Sequence, residues 1–217
     1  VSRIVTMQAE RGMAVSEARG LEMGRVFVTG DTHNKFEYQK VEYLCRELDT
    51  TKDDVLIILG DHGSLYYGDE RDDMMKGYLE SLPISFVMIK GNHDRRPTSD
   101  SFELKDIDLP NLKGKFYIDP KYPSLMLTPI YGEYEVVGKK VFVLGGAYSV
   151  DKDYRLKMYD AGFHQFLWFE DEQMNSQELD EAEKILGASK KWDYIFSHTC
   201  PLKYEPRDRF MEGIDQC

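Results

Sequence analysis

Metal-capable side chains follow several apolar runs of this sequence, each at the point where the run stops. They are Asp31 and His33, then Asp61, then Asn92, His93 and Asp94, and finally His198. Oxygen and imidazole ligands without thiolates suit Mn, Fe, Zn or Mg rather than a soft-metal site. Two such ions about 3.5–4 Å apart are a standard arrangement for hydrolysing phosphate esters, and a carboxylate such as Asp61 can bridge them. The residue types therefore indicate a site for one or two divalent metal ions.

The elements that must hold these side chains alternate along the first half of the chain. Residues 25–30, "DVLIILGD" and "ISFVMIKGNHD" are short, apolar and β-prone, which predicts buried strands. Amphipathic helices are predicted between them, at 36–48 and 70–81. This order is typical of parallel β-α-β units, whose strands present their carboxyl ends at one edge of the sheet, where ligands bind. We therefore expect the side chains that follow these strands to meet at that edge.

The second half of the chain has a different rhythm. Short strands are predicted between 115 and 146, with an antiparallel hairpin at 130–145 around Gly138. A helix is predicted at 175–186, and "WDYIFSHTCP" is a last strand that ends at His198. The fold class is therefore α/β. Residues 1–23 lack this pattern, so we interpret them as an N-terminal extension, disordered or non-native, and 24–217 as the folded domain.

Charge and composition exclude several classes of function. The 217 residues include 28 basic and 39 acidic ones, and the net charge of -11 argues against general DNA or RNA binding and against a nuclease with a basic groove. The three cysteines lack C-x-x-C spacing and are odd in number, so neither a disulfide framework nor a zinc knuckle is indicated. No apolar run reaches the roughly 18 residues of a membrane helix. The N-terminus has no signal-peptide pattern, and we expect a cytoplasmic protein.

Each short motif has a structural explanation of its own. A D-x-H triplet occurs by chance in many chains, and an Asp at a strand end often only caps a turn. Asn92-His93-Asp94 could be a turn with a satisfied histidine, and His198 could be a packed strand-end residue. Four such groups in order, each after a predicted strand, favour one shared site over four separate turns.

In combination, the motifs resemble the calcineurin-like metallophosphoesterase superfamily: "GDTH" at 30–33, "GD" at 60–61, "GNHD" at 91–94 and "SHTCP" at 197–201. The resemblance covers roughly residues 24–217. It looks closest to a bacterial branch with a G-D-x-G second motif and a "GGAYSVDKDYR"-like stretch, here at 145–155. It implies an αββα sandwich with mixed sheets and two divalent metal ions on its rim, with Mn favoured and Fe, Zn or Mg as alternatives.

The resemblance also implies a role for each motif residue. The implied metal ligands are Asp31 and His33 for the first ion, Asp61 as a bridge, and Asn92 and His198 for the second ion. A metal-bound hydroxide would attack phosphorus, and His93 would be the general acid toward the leaving group. The implied partner is a phosphate ester, cleaved by a phosphatase or phosphodiesterase activity.

Three further residues are candidates for substrate binding. Arg95 and Arg96 follow the third motif, and guanidinium groups suit phosphate. Arg96 sits where some phosphoprotein phosphatases of this superfamily carry an arginine. His62 follows Asp61 directly and is expected on a loop that faces the cleft. A solvated loop is the alternative for the two arginines.

The sequence departs from the superfamily pattern at two places. Ser64 stands where the second motif usually has another Asp, which orients the histidine of the third motif. No G-H-x-H motif follows His198, so the domain is expected to lack its last strands and to bind metal more weakly. The exposed sheet edge would favour self-association. These departures keep a second interpretation open, a catalytically impaired scaffold or binding domain with the same fold.

Overall fold

The computed structural model describes residues 5–7, 24–33, 35–188 and 191–200. These residues form one ten-stranded sheet and four helices. In chain order the elements are β1 (Val5–Met7), β2 (Val26–Thr29), α1 (Lys35–Leu48), β3 (Val55–Ile58), α2 (Glu70–Ser81), β4 (Ser85–Met88), β5 (Glu103–Leu109), β6 (Leu112–Ile118), β7 (Leu125–Leu127), β8 (Tyr131–Val136), β9 (Lys139–Leu144), α3 (Lys152–Asp160), α4 (Ser176–Ala188) and β10 (Tyr194–Ser197).

The first half of the sheet is mainly parallel. β2, β3 and β4 lie side by side, with Val26 opposite Val55 and Val55 opposite Ser85. β7 pairs parallel with β4, and β1 pairs antiparallel with the outer edge of β2. Because β2, β3 and β4 run in the same direction, their carboxyl ends lie at one edge of the sheet.

Strand β6 joins this half to the second half. Tyr117 and Ile118 at its C-terminal end pair antiparallel with β7, whereas Leu112 and Lys113 at its N-terminal end pair antiparallel with β8. β8 and β9 form the predicted antiparallel hairpin, and β10 pairs parallel with β9. β5 pairs with β6 outside this path. The two halves are therefore parts of one continuous hydrogen-bonded sheet.

The two halves pack face to face around a shared apolar core. Alternate residues of a strand point to opposite faces, and Val55 and Ile57 of β3 point to the same cluster as Val141 and Val143 of β9. These four side chains are at most 3% exposed. The inner core therefore holds the loops at the ends of both halves in fixed relative positions.

Helices cover the outer faces of both halves. Leu56, which alternates with the inner-core residues of β3, packs in a second cluster with Tyr38 of α1 and Leu79 of α2. On the other half, the rings of Phe142 and Trp192 lie 5.1 Å apart, and the Trp192 indole donates to a carbonyl of α4. The order helix, sheet, sheet, helix confirms the expected αββα sandwich.

Local sequence accounts for the elements that hold the first three motifs. Helix α2 begins where it is predicted, after Asp69, whose carboxylate accepts from the backbone N–H of Arg71 as an N-cap. α1 and α4 lie within one or two residues of the predicted 36–48 and 175–186. The sequence does not predict strand β5 or helix α3.

Part of the segment interpreted as an extension belongs to the sheet. Val5–Met7 forms β1 beside β2, and the interpretation of residues 1–23 as an N-terminal extension stays a prediction. The rest of 1–23, and residues 201–217, lie outside the described residues. None of the described helices is both long and apolar enough to span a membrane.

Candidate metal centre

Four loops bring the predicted site residues to one edge of the sheet. These residues are Asp31 and His33 after β2, Asp61 after β3, Asn92 and His93 after β4, and His198 after β10. The first three loops leave parallel neighbouring strands at the same edge. The fourth comes from the other half of the sandwich, and His198 Nδ1 lies 2.8 Å from the carbonyl oxygen of Leu59, just after β3.

The Asp61 carboxylate lies at the middle of this group. Its Oδ2 is 3.8 Å from His33 Nε2 and 3.9 Å from His93 Nδ1. Its Oδ1 is 3.6 Å from His198 Nε2 and accepts from the backbone N–H of His93 at 2.8 Å. Two sets of candidate ligands share Asp61, and the ligand atoms of each set lie within 4.8 Å of one another: one set includes His33 and His93, the other Asp31 and His198.

The contacts of His198 indicate a place for a cation. The Leu59 carbonyl oxygen can only accept, so a neutral His198 ring carries its proton on Nδ1. Nε2 then presents a lone pair, yet it lies 2.9 Å from Asn92 Oδ1 and 3.6 Å from Asp61 Oδ1. The Asn92 Nδ2 donates to Ser149 Oγ at 2.9 Å, which leaves Oδ1 directed at the His198 ring. Three electron-rich atoms that face one another in this way fit a shared divalent cation.

The other candidate ion position is more open to solvent. Asp31 Oδ2 lies 3.6 Å from His33 Nε2, and the two side chains are 47% and 46% exposed. His33 Nε2 also faces the second oxygen of the buried Asp61 carboxylate, at 3.8 Å. Carboxylate oxygens and imidazole nitrogens are suitable ligands for Mn, Fe or Zn. The donor set fits two divalent ions, and the individual ligand roles stay predictions.

Backbone conformation brings Asp61 and His198 together. Gly60 and Asp61 have positive φ angles of 100° and 49°, in the left-handed region. A Cβ on Gly60 would lie 2.1 Å from His198 Nδ1, so this approach requires glycine. The carbonyl of Asp61 accepts from the backbone N–H groups of Thr32 and His33 at 3.2 and 2.8 Å. These bonds tie the first loop to the second.

The charges of the site favour a bound cation. Burial raises the pKa of the Asp61 carboxyl, and the nearby Asp94 carboxylate raises it further. Asp31 is more exposed than Asp61. Burial also raises the pKa of the Asp31 carboxyl, but the hydrogen bond to His33 and the charges of His198 and His33 have a larger combined effect, and the pKa is lowered. The same pairing with Asp31 raises the pKa of His33. A buried carboxylate beside a second one is stabilised in its ionised form by a metal ion.

Asp94 ties the second and third loops together, a role that the sequence did not single out. It is fully buried and accepts from the backbone N–H groups of Gly91, Gly63 and His62 at 2.8, 3.3 and 3.4 Å. The His62 ring is 1% exposed and lies 2.8 Å from Ser64 Oγ and 3.5 Å from Asp94 Oδ2. This burial argues against the predicted substrate-facing position of His62.

Arg95 and Arg96 hold the third loop in place. Arg95 donates to the carbonyls of Tyr66 and Tyr67 at 3.1 and 3.2 Å. Arg96 pairs with Glu178 of α4 at 2.5 Å, and its remaining donors reach two backbone carbonyls in the segment before α4. A substrate-binding role for either arginine stays a prediction, because these contacts already engage both guanidinium groups.

Ser149 contacts the Asn92 side chain, and Glu172 contacts Ser149. Neither residue was identified from the sequence. Ser149 accepts from the Asn92 amide through its hydroxyl, and its backbone N–H donates to Glu172 Oε1 at 3.1 Å. Both residues are at most 3% exposed. Ser149 lies in the "GGAYSVDKDYR" stretch, but nothing in that stretch indicates which side chain it contacts.

The comparison with protein families agrees with this geometry. A family model described as calcineurin-like phosphoesterase matches residues 24–212. The match therefore begins before the first motif and continues beyond His198. A search of curated proteins gives no match.

Proposed function

We propose that this chain, which belongs to the calcineurin-like phosphoesterase family, is a metal-dependent phosphoester hydrolase with two divalent ions bridged by Asp61. Family membership supports metal-dependent hydrolysis of phosphoric esters in general. The dinuclear arrangement is our own proposal, and it rests on the two sets of candidate ligands that share Asp61.

The observation that carries the proposal is the contact between His198 Nε2 and Asn92 Oδ1 at 2.9 Å. Nδ1 of His198 is directed at the Leu59 carbonyl and Nδ2 of Asn92 at Ser149 Oγ, which directs Nε2 and Oδ1 at the same point. An imidazole nitrogen and an amide oxygen at this distance fit neighbouring positions on one divalent cation.

The chain's own residues then have distinct tasks. Two divalent ions, when bound, activate the attacking water and neutralise charge on the phosphoryl oxygens. Asp61 would hold the two ions together, and residues of the loops after β2, β4 and β10 would supply the remaining ligands. His93 is 24% exposed at its side chain, with Nδ1 3.9 Å from Asp61 Oδ2. Its ring can therefore reach a leaving-group oxygen and donate a proton as the P–O bond breaks.

The test uses the chain after treatment with a chelator. We expect hydrolysis of p-nitrophenyl phosphate or its bis ester to require added divalent metal, with Mn²⁺ giving the highest rate. The two substrates distinguish a phosphomonoesterase from a phosphodiesterase. Calorimetric titration with Mn²⁺ in parallel should give a stoichiometry of about two ions per chain. Metal-independent hydrolysis, or a stoichiometry near one, would contradict the dinuclear proposal.

A binding scaffold of the same fold is the second candidate, and the observation that favours it is Ser64. The residue is 1% exposed and bonded to His62, so it gives the His93 ring no carboxylate partner. The scaffold proposal predicts Mn²⁺ binding without turnover of either ester. A wild-type chain that binds two ions and hydrolyses neither substrate would favour the scaffold.

A further inference from the structure

A cavity of about 180 Å³ lies where β9 and β10 end. Its lining includes Ala147 and Tyr148 from the loop after β9, Met174 and Leu179 from the start of α4 and the segment before it, and Thr199 from the loop after β10. A water molecule takes about 30 Å³ in the liquid. The cavity therefore has room for about six waters, or for an organic group about the size of a phenyl ring.

The cavity adjoins the candidate ion position of Asn92 and His198. Tyr148 directly precedes Ser149, whose Oγ accepts from Asn92 Nδ2 at 2.9 Å. Thr199 directly follows His198, whose Nε2 lies 2.9 Å from Asn92 Oδ1. Consecutive Cα atoms are about 3.8 Å apart, so two walls of the cavity lie one residue from groups of the metal centre. A phosphoryl group bound at this position would have the cavity beside it.

The lining of the cavity is uncharged and partly apolar. None of the described residues that line it is acidic or basic, although the chain has a net charge of -11. Ala147, Met174 and Leu179 supply aliphatic surface, Tyr148 supplies a ring, and Thr199 supplies a hydroxyl. Apolar and aromatic walls with a few polar groups are typical of small-molecule sites. The lining therefore fits an uncharged organic group rather than an ionised one.

Backbone contacts fix the walls of the cavity. Gly146 has a φ angle of 78°, and a Cβ at this position would lie 2.4 Å from the carbonyl oxygen of Glu172. Only glycine allows the loop after β9 to approach the segment before α4 so closely. The N–H groups of Gly145 and Gly146 donate to the carbonyls of Ile130 and Lys90 at 2.6 and 2.7 Å. The cavity is therefore formed before a ligand binds, which lowers the cost of binding.

We propose that this cavity binds the organic substituent of the phosphate ester and selects for an uncharged aromatic or apolar group about the size of a phenyl ring. The inference rests on the proposed hydrolase function, because the neighbouring ions must hold the phosphoryl group. An apolar substituent gains free energy when the cavity removes its surface from water. An ionised substituent would lose hydration there without meeting an opposite charge among the described lining residues.

The test measures binding of two phosphonates that cannot be hydrolysed and that differ in their organic group. In calorimetric titration of the Mn²⁺-loaded chain, phenylphosphonate should bind at least about 10-fold more tightly than methylphosphonate. Ala147→Leu fills the cavity and should reduce this ratio to less than about threefold, with unchanged affinity for methylphosphonate. Leu179→Gln makes one wall polar and should also reduce the ratio. Leu104→Gln is the matched control, because Leu104 of β5 is 52% exposed and Leu179 is 46% exposed. The control should keep the wild-type ratio.

A second measurement locates the bound group. The methyl NMR signal of Met174, identified by its absence in Met174→Leu, should move when phenylphosphonate is added to the Zn²⁺-loaded chain and should not move with methylphosphonate. Equal affinities for the two phosphonates, an unchanged ratio in both cavity variants, or an unmoved Met174 signal would overturn the proposal. A chain that binds no Mn²⁺ would contradict the proposed function as well. A chain that prefers phenylphosphonate but hydrolyses no ester would contradict the hydrolase proposal alone.

Discussion

Gly91 passes the Asp61 carboxylate so closely that the smallest side chain does not fit. A Cβ at this position would lie 2.0 Å from Asp61 Oδ1 and 2.3 Å from the Asp61 backbone nitrogen. Ordinary contact begins near 3.4 Å, so the carboxylate or the loop must move by more than 1 Å. The loop resists this movement because the Gly91 N–H donates to the buried Asp94 at 2.8 Å. The strain therefore falls on the Asp61 carboxylate and on the Asp61 backbone nitrogen.

We expect Gly91→Ala to inactivate the site while the chain stays folded. A displacement of about 1 Å in a positioned catalytic group costs on the order of 100-fold in rate, or about 2.7 kcal/mol. Affinity for Mn²⁺ should fall as well, because the displaced oxygen belongs to the carboxylate shared by both ligand sets. The backbone at Gly91 does not have a positive φ, so the effect is steric and local.

The assay is Mn²⁺-dependent hydrolysis of p-nitrophenyl phosphate or its bis ester, together with calorimetric Mn²⁺ titration and thermal unfolding. Gly77→Ala is the matched control, because its Cβ in α2 would meet Tyr122 Cε1 at an ordinary 3.9 Å. That variant should keep full activity and gain about 0.5–1 kcal/mol of stability from helix propensity. Activity of Gly91→Ala within threefold of the wild type would refute the steric reasoning.

Three further predictions concern the same loops. Asp61→Asn should abolish metal-dependent turnover and reduce bound Mn²⁺, measured by elemental analysis; full metal content with full rate would disprove the bridging role. His93→Asn should retain metal and lose roughly 100-fold or more on phenyl phosphate, and a normal rate would exclude it as the general acid. Asp94→Asn should lower the unfolding free energy by about 2 kcal/mol in urea denaturation, because one buried acceptor oxygen becomes a donor facing a backbone N–H; an unchanged midpoint would contradict the assigned contacts.

The sequence predicts the first half of the fold well because each element there has a local pattern. β3 is apolar on both faces, since Leu56 packs under the helices and Ile57 packs in the inner core. Such a run is recognised without tertiary information. The end of the run then identifies Asp61, and the same reasoning identifies the residues after β2, β4 and β10.

Two elements have no such pattern. β5 is Glu103–Leu109, and its side chains are exposed except for a partly buried Ile107, so it forms by pairing with β6 rather than by burying a face. α3 buries Arg155 and exposes its large apolar residues, which is the reverse of the helical rule. The stability of both elements comes from tertiary contacts, and these have no local periodicity in the sequence.

The same distinction separates the ligands from the groups that hold them. The candidate ligands follow strands and could be read from the sequence, whereas Asp94, Ser149 and Arg155 act through partners at other positions in the chain. The sequence indicates a metal-capable group or a turn at Asp94, but its carboxylate accepts from the backbone N–H of Gly63, 31 residues earlier. Arg155 contacts His93, 62 residues away. Such pairings depend on where the loops meet, which composition and periodicity do not determine.

Two of the predicted ligands have a strained backbone conformation. His33 and Asp61 have φ angles of 33° and 49°, which side chains with a Cβ rarely adopt, at a cost on the order of 1 kcal/mol or more each. The His33 N–H donates to the Asp61 carbonyl at 2.8 Å, so the two strained residues support each other across the first and second loops. A fold selected for stability alone would place glycine or asparagine at these positions. Keeping an imidazole and a carboxylate there costs folding stability, and under the proposed function the compensation is a pair of metal ligands whose nearest atoms lie 3.8 Å apart.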